Sequence, residues 1–177
     1  MFRQVLVPVK FSVCGRLAAW HACDVVRAIG GTVTLLHVLE YSAPGHPERE
    51  KFEVYRARQE EALALLRQVG LYARRPPGFL IVPAPNRSAL NGPILNEPAP
   101  DGVASAILKV AAETGAELIM LGLRIRDGPV QGTLGRVVGP VLLGAGVPVQ
   151  VTPCRPTTGV ATGVRSGGWR GVLAGRD

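Results

Sequence analysis

Residues 116–152 read AELIMLGLRIRDGPVQGTLGRVVGPVLLGAGVPVQVT, a stretch with the pattern of a strand, a glycine-punctuated loop, a helix and a second strand. The apolar run at 117–121 has the length of a buried parallel strand. A fourteen-residue loop with four glycines follows it, and residues 137–143 and 147–151 are the predicted helix and second strand. In α/β proteins such a loop commonly holds phosphate, because free backbone N–H groups and the helix dipole converge at the helix start.

Outward from this stretch, the chain alternates between predicted strands and predicted helices. Ser12 is the expected N-cap of the first helix, and Gly30 and Gly31 form its stop signal. The predicted strands are residues 4–9, 32–39, 80–82, 117–121 and 147–151, and the predicted helices are residues 13–29, 50–69, 101–115 and 137–143. This order predicts an α/β fold with a five-stranded parallel sheet sandwiched by four helices.

The first two predicted helices carry apolar residues at roughly helical spacing. In the first helix these are Leu17, Trp20, Val25 and Ile29, and in the second they are Val54, Leu63, Leu66 and Val69. We expect the second set to face the sheet. In the last helix, Pro140 removes one backbone hydrogen bond and is expected to bend the helix.

The composition is that of one globular domain. The chain has 177 residues, of which 47% are apolar and 19% charged, which excludes an intrinsically disordered protein. No apolar run approaches the roughly 20 residues needed to cross a bilayer. The apolar stretch at residues 5–9 is too short for a signal-peptide core. We therefore expect a cytoplasmic protein without membrane contact.

The C-terminal segment differs in composition from the rest of the chain. Residues 154–177 contain six glycines, and their four arginines against one aspartate contribute three of the seven net positive charges. Such a segment is typical of a flexible extension without a core of its own. We predict a folded domain at residues 1–153 and an extension at 154–177. The charge left on the domain is ordinary for a soluble protein, so nucleic-acid binding is not expected.

The residue types that usually carry chemistry form no recognisable catalytic or metal-binding motif. Cys14, Cys23 and Cys154 lack Cys-x-x-Cys and zinc-ligand spacing. Cys14 and Cys23 are interpreted as small core residues of the first helix, which fits a reducing compartment. His37 lies within a predicted strand and is interpreted as structural. Because no nucleophile with its base and no nucleotide-hydrolysis motif is present, we expect neither an enzyme nor a metal site.

Three segments resemble the universal stress protein family. VLVPVKFS at residues 5–12 resembles the opening of that family, and LLHV at 35–38 resembles its second strand. The run from Gly122 to Arg126, followed by Gly135 and by PVQV at 148–151, resembles its C-terminal signature. The resemblance covers residues 3–153. It implies a Rossmann-like sandwich of the adenine nucleotide alpha hydrolase-like class with five parallel strands, which often dimerises through the last strand. Many members bind ATP or AMP.

The family's phosphate motif is only partly matched. In nucleotide-binding members it reads Gly, two residues, Gly, nine residues, Gly, then Ser or Thr. Gly122 and Gly135 match the first and third glycines, whereas Ile125 stands at the second and Arg136 at the hydroxyl position. A β-branched isoleucine resists a positive φ and obstructs close approach to the backbone.

The resemblance implies further nucleotide contacts after the first two strands. Lys10 replaces the family aspartate there, so that a donor stands where an acceptor is usual, and Val38 is retained. The candidate nucleotide-binding residues are Pro8, Val9, Lys10, Val38, Gly122, Arg124, Arg126, Gly135 and Arg136. The arginines among them either bind phosphate through bidentate hydrogen bonds or are solvated and paired with carboxylates such as Asp127.

Two functional hypotheses follow. In the first, the chain is a stress-response module whose binding and dimerisation are modulated by ATP or AMP. In the second, it is a nucleotide-independent dimerisation module that has lost ATP binding. In both, the apolar strand at residues 147–151 is the predicted homodimer contact, because an uncovered edge strand is otherwise an association hazard.

Overall fold

The computed structural model describes residues 2–40, 48–70, 75–84, 102–125 and 134–154. Within them, strands and helices alternate as the sequence pattern predicted. The strands are β1 (Gln4–Pro8), β2 (Thr32–Leu39), β3 (Gly78–Pro83), β4 (Leu118–Arg124) and β5 (Val149–Cys154). The helices are α1 (Val13–Ile29), α2 (Glu48–Gly70), α3 (Gly102–Glu113) and α4 (Gly135–Gly144).

The five strands form one parallel sheet in the order β3-β2-β1-β4-β5. Val5 of β1 pairs with Val33 of β2 on one side and with Leu118 of β4 on the other. The chain therefore builds outward from β1 to β3 and then returns to place β4 on the opposite side of β1. The predicted α/β class, with a five-stranded parallel sheet between four helices, is confirmed.

Alternate strand residues enter two separate hydrophobic cores. Val7 and Leu35 pack in the core covered by α1 and α2. Leu6 and Leu36, one residue away along the same strands, pack in the core covered by α3 and α4. Because side chains alternate across a strand, a sheet buried on both faces needs the nearly continuous apolar runs that these strands have.

Helix α1 begins and ends where its capping residues predicted, but it packs through a different face. The Ser12 side chain accepts a hydrogen bond from the N–H of Gly15, and Gly30 ends the helix with φ 76°. The buried residues of α1 are mostly small: Cys14, Gly15, Ala18, Ala19, Ala22, Cys23 and Val26. The bulkier set that includes Leu17 and Trp20 is only partly buried. Small side chains let the helix backbone approach the sheet closely.

Two other expectations are corrected by the packing. In α2, Val69 is buried as predicted, but Val54 and Leu63 are exposed and Leu65 takes a core position. At the end of the fold, β5 continues to Cys154, which the composition assigned to the C-terminal extension and which is buried. Residues 155–177 lie outside the described residues.

Candidate functional site

The candidate site lies at the carboxyl ends of β1 and β4, which are neighbours in the sheet. Pro8, Val9 and Lys10 lie at the end of β1, and Gly122 and Arg124 lie at the end of β4. The strand order reverses between these two strands, and open α/β sheets bind ligands in the crevice outside such a reversal. The tertiary structure therefore brings these five predicted residues to one edge of the sheet.

The side chain of Lys10 is paired with a carboxylate that sequence reasoning missed. Its Nζ lies 3.4 Å from Oε2 of Glu40, the residue that follows β2. Both side chains are well exposed, so the ion pair stabilises the fold little and is open to rearrangement. A carboxylate thus lies beside Lys10 at the carboxyl end of the neighbouring strand. Glu40 was detectable only as the first polar residue after β2.

The backbone of Val9 is fully hydrogen-bonded within the protein. Its N–H donates to the carbonyl of Leu36 at 2.8 Å, and its carbonyl accepts a hydrogen bond from Nδ1 of His37 at 2.9 Å. Because a carbonyl can only accept, Nδ1 of His37 carries the proton.

Val38 lies opposite Val82 in the β2–β3 ladder, and its side chain packs against the core under α3 and α4.

His37 belongs to an aromatic cluster beside the end of β1. Its ring lies 4.6 Å from the ring of Phe11, which stacks on Phe79 at 6.3 Å, and the guanidinium of Arg58 lies over Phe11. Burial lowers the pKa of His37 below its usual 6.5, an effect larger than the opposing hydrogen bond to Val9. His37 is therefore a neutral donor that holds the end of β1, as its interpretation as a structural residue requires.

Gly122 is packed against the first turn of α1. A Cβ at this position would lie 2.7 Å from the carbonyl carbon of Cys14, well inside contact distance. Gly15 is equally restricted, since its Cβ would overlap the carbonyl of Lys10. Two glycines thus allow the segment after β1, the start of α1 and the end of β4 to stack on one another. The absence of a side chain at Gly122 has a packing cause that needs no ligand.

The end of β4 is also closed by β5. Arg124 pairs with Cys154, and the N–H of Ile125 donates to the Cys154 carbonyl at 2.9 Å. The amide at the position of the family's second glycine is therefore committed to the sheet. The Arg124 side chain is exposed at this edge. Arg126 lies outside the described residues, as does Asp127, its suggested partner.

The start of α4 is arranged differently. Gly135, its first residue, has φ 73°, and a Cβ built there would meet no atom of the described residues within 4 Å. Leu134 at the N-cap position provides no side-chain hydrogen bond to the first turn. Arg136 follows as an exposed residue within that turn. A helix start of this kind presents backbone N–H donors and a partial positive charge to an anion.

A disulfide joins Cys14 to Cys154, which corrects the interpretation of Cys14 as a simple core residue. The two Cα atoms are 5.3 Å apart, although the residues are 140 positions apart in the sequence. The sequence does not indicate this pair, because the two cysteines are far apart and form no short-spacing motif. Cys23 is a free, buried thiol, as expected, and burial together with the neighbouring Asp24 raises its pKa to about 11.

Two features are absent from the described residues. Among their helices, none combines the length and the apolar character needed to cross a bilayer. In the same part of the chain, no three His, Cys, Asp or Glu side chains are grouped as a metal ion would require.

Comparison with known proteins gives one consistent result. The sequence model of the universal stress protein family matches residues 1–93, slightly more than half of the chain. None of the curated proteins compared with the sequence matches it significantly.

Several solved structures share the fold. The universal stress protein UspA from Lactobacillus plantarum is 20% identical, with a TM-score of 0.62 over 85% of this chain and 97% of that one. A universal stress protein family member from Burkholderia pseudomallei is 19% identical, with a TM-score of 0.57 over 86% and 97%. The universal stress protein from Archaeoglobus fulgidus in complex with dAMP is 19% identical, with a TM-score of 0.51 over 85% and 97%.

Proposed function

Since this chain belongs to the universal stress protein family, we propose that it is a cytoplasmic stress-response module that binds an adenine nucleotide at the edge formed by β1, β4 and α4. Nucleotide occupancy would modulate its dimerisation and its binding to partners. The observation that carries this proposal is the start of α4, where Gly135 has a positive φ and no atom of the described residues lies within 4 Å of a Cβ built on it. A phosphate seated there accepts hydrogen bonds from the first-turn N–H groups.

The charges around this edge suit a nucleotide. Lys10 and Arg124 supply cationic side chains for a phosphate, and Arg136 adds a third in the first turn of α4. Glu40 supplies the acceptor that a ribose hydroxyl needs, and its exposed ion pair with Lys10 can open to receive it. Support of a different kind comes from the Archaeoglobus fulgidus protein, which was solved in complex with dAMP.

The geometry favours a nucleoside monophosphate over a triphosphate. A triphosphate needs a cradle of several backbone donors, and in the described part of the chain the end of β4 offers few. Gly122 is covered by α1, and the Ile125 amide is bonded to Cys154. The start of α4 is one anion site, sufficient for a single phosphate. We therefore propose AMP, and not ATP, as the preferred ligand.

The proposed dimer contact is the outer edge of β5, the last strand of the sheet among the described residues. The backbone carbonyls of Pro148 and Cys154 accept hydrogen bonds from β4, so the backbone groups of the even-numbered residues of β5 point towards β4. The backbone groups of Val149, Val151 and Pro153 consequently point towards the outer edge. Pro153 has no N–H to donate, which is tolerated on an edge but limits pairing beyond it. An antiparallel pair of β5 strands would therefore use the N–H and C=O groups of Val149 and Val151.

A second candidate function is a nucleotide-independent dimerisation module. It is favoured by the closed end of β4, where packing and sheet hydrogen bonds account for both Gly122 and Ile125 without a ligand. Under this alternative the β5 edge still pairs, but AMP has no effect on the dimer.

Calorimetric titration with AMP and with ATP tests the proposal. We expect heat and a rise in Tm with AMP, since a ligand of the folded state stabilises it. Lys10→Met should weaken AMP binding roughly threefold, because one exposed cationic contact is lost. Lys109→Met is the matched control: Lys109 also pairs with a carboxylate, that of Glu113, but lies on α3, so its variant should bind AMP normally.

The outcomes separate the two candidates. Neither heat nor a shift in Tm at millimolar AMP and ATP would overturn nucleotide binding. ATP binding ten times more tightly than AMP would contradict the closed cradle at β4. Sedimentation equilibrium with and without AMP then measures the dimer association constant. A constant that depends on AMP supports modulation, whereas an unchanged constant supports the nucleotide-independent module.

A further inference from the structure

The disulfide between Cys14 and Cys154 holds together three elements at the candidate edge. Cys14 is the second residue of α1, and Cys154 is the last residue of β5. Between them lies the end of β4, where Gly122 packs on the Cys14 carbonyl and Arg124 pairs with Cys154. The covalent bond therefore fixes both flanks of the strand end from which the glycine-rich loop departs.

The fold does not depend on this bond for its core. Both cysteines are buried, with exposures of 6% and 3%, yet neither belongs to the two hydrophobic clusters that line the sheet. Helix α1 is held by its small-residue face, and β5 is held to β4 by the backbone ladder. Breaking the disulfide should leave the fold intact and loosen only the start of α1 and the ends of β4 and β5.

From this arrangement we propose that Cys14 and Cys154 form a reversible thiol–disulfide site that acts as a redox clasp on the nucleotide edge. In the oxidised state the clasp orders the start of α1 and the ends of β4 and β5. In the reduced state these three segments open more often. The oxidant that the site takes is a low-molecular-weight disulfide, and the reductant is a low-molecular-weight thiol.

The chemistry proceeds by two exchanges. The Cys14 thiolate attacks one sulfur of the small disulfide, whose S–S bond breaks and releases one thiolate. The Cys154 thiolate then attacks the Cys14 sulfur of the mixed disulfide and expels the second small thiolate. Two protein thiols are oxidised, the small disulfide is reduced to two thiols, and the two protons lost by the protein pass to them.

Cys23 shows what an unreactive cysteine looks like on the same helix. It lies nine residues after Cys14, packs in the core under α1 and α2, and has a pKa raised to about 11 by burial and Asp24. At neutral pH such a thiol holds almost no thiolate, so it should neither exchange nor compete for Cys14. Exchange at the buried clasp requires only local opening of the α1 start and the β5 end.

The test uses the full chain equilibrated with oxidised or reduced glutathione. Mass spectrometry after maleimide labelling in denaturant should count one free thiol in the oxidised sample and all three cysteines in the reduced one. Hydrogen exchange should speed up on reduction at residues 12–16, 120–125 and 150–154 by roughly tenfold more than in α3, which reports any general loss of stability. Three free thiols in the oxidised sample, or identical exchange in both states, would overturn the proposal.

Variants separate the clasp from a general effect of redox buffer. Cys23→Ser should keep the full redox response, whereas the double variant Cys14→Ser/Cys154→Ser should exchange like reduced protein in either buffer. Loss of the closed loop should lower the Tm of the double variant by roughly 5 to 15 °C. If the double variant fails to fold, reduction and reoxidation of the natural chain still decide the question. A redox response that survives in a folded double variant would refute the clasp.

The consequence for ligand binding rests on the proposed function. If AMP binds at this edge, reduction should weaken its affinity by about threefold or more, because the ligand must then reorder the strand end. Equal AMP affinity in the two states would refute this coupling. If AMP gives no heat in either state, the proposed function fails, while the clasp is judged on thiol counts and hydrogen exchange alone.

Discussion

The end of β4 and the start of α4 flank the same glycine-rich loop, yet their backbones differ in what already occupies them. Gly122 at the end of β4 is covered by the first turn of α1, and the next family position, Ile125, donates its N–H to Cys154. Gly135 at the start of α4 has a positive φ, and in the described part of the chain no atom lies within 4 Å of a Cβ built on it. Two glycines that match one motif thus differ in structure, since one packs against the backbone of α1 and the other takes a positive φ at a helix start.

The largest effect is expected from adding a side chain at Gly122, where the end of β4 is closed by α1. Gly122→Ala should destabilise the protein by about 3 kcal/mol, because the added methyl meets the backbone of α1, which cannot move aside as a flexible side chain could. Urea denaturation measures this loss. Gly78→Ala is the matched control: Gly78 also lies in a strand, but its Cβ would make an ordinary 3.7 Å contact with Thr34.

The control should stay within about 1 kcal/mol of the natural chain. Equal losses for Gly122→Ala and Gly78→Ala would show that the end of β4 is less tightly packed than its geometry indicates. In that case Gly122 would again be interpreted as a glycine that lets a phosphate approach the backbone.

At the open end, the expected effect is on binding more than on stability. Gly135→Ala should cost about 1 to 2 kcal/mol of stability through its left-handed backbone, and should weaken AMP binding about tenfold by displacing the first-turn N–H groups. Gly115→Ala carries the same kind of backbone strain, with φ 62°. Gly115 lies between α3 and β4, at the amino end of that strand and away from the candidate site. This variant should lose similar stability and bind AMP normally by calorimetry.

If both glycine variants bind AMP as the natural chain does, the start of α4 is not the phosphate site. If both lose binding equally, the effect of Gly135→Ala reflects general destabilisation. Only a loss confined to Gly135→Ala supports the assignment.

The smallest expected effect is a pH dependence of stability that arises at His37, beside the end of β1. Burial lowers the pKa of His37, with Arg58 and Lys10 acting in the same direction and the Val9 hydrogen bond and Glu61 opposing. The unfolded chain therefore takes up a proton near pH 6.5 that the folded chain takes up only at lower pH. Stability should be highest above that pH and fall as the pH drops through the folded pKa.

His37→Asn should flatten this part of the stability profile, because the asparagine amide can still donate to the Val9 carbonyl but does not titrate. Urea denaturation at several pH values between 5 and 8 measures the slope. His21→Asn is the control, since it removes a histidine that is exposed on α1. The same change of slope in both variants would show that the effect is not specific to His37. If His37→Asn keeps the pH dependence of stability of the natural chain, groups other than His37 cause the loss of stability at low pH.

Much of the fold was predictable because it depends on local patterns. The apolar run of β4, the Ser12 cap and the Gly30 stop each act within a few residues, and their order along the chain specifies a parallel α/β sheet. The same patterns carried the family resemblance. They failed for the face of α1, because bulky apolar residues at helical spacing do not show that Ala18 and its small neighbours pack closest to the sheet.

The sequence by itself determined the succession of elements, the family and the residues that gather at the edge of β1 and β4. Only the tertiary structure decided what each of them does there. The pairing of Lys10 with Glu40, the covering of Gly122 by Cys14, and the bond from Cys14 to Cys154 each join segments that are distant in the chain. Local propensity specifies how each segment folds, but contacts between segments depend on the sheet that assembles them.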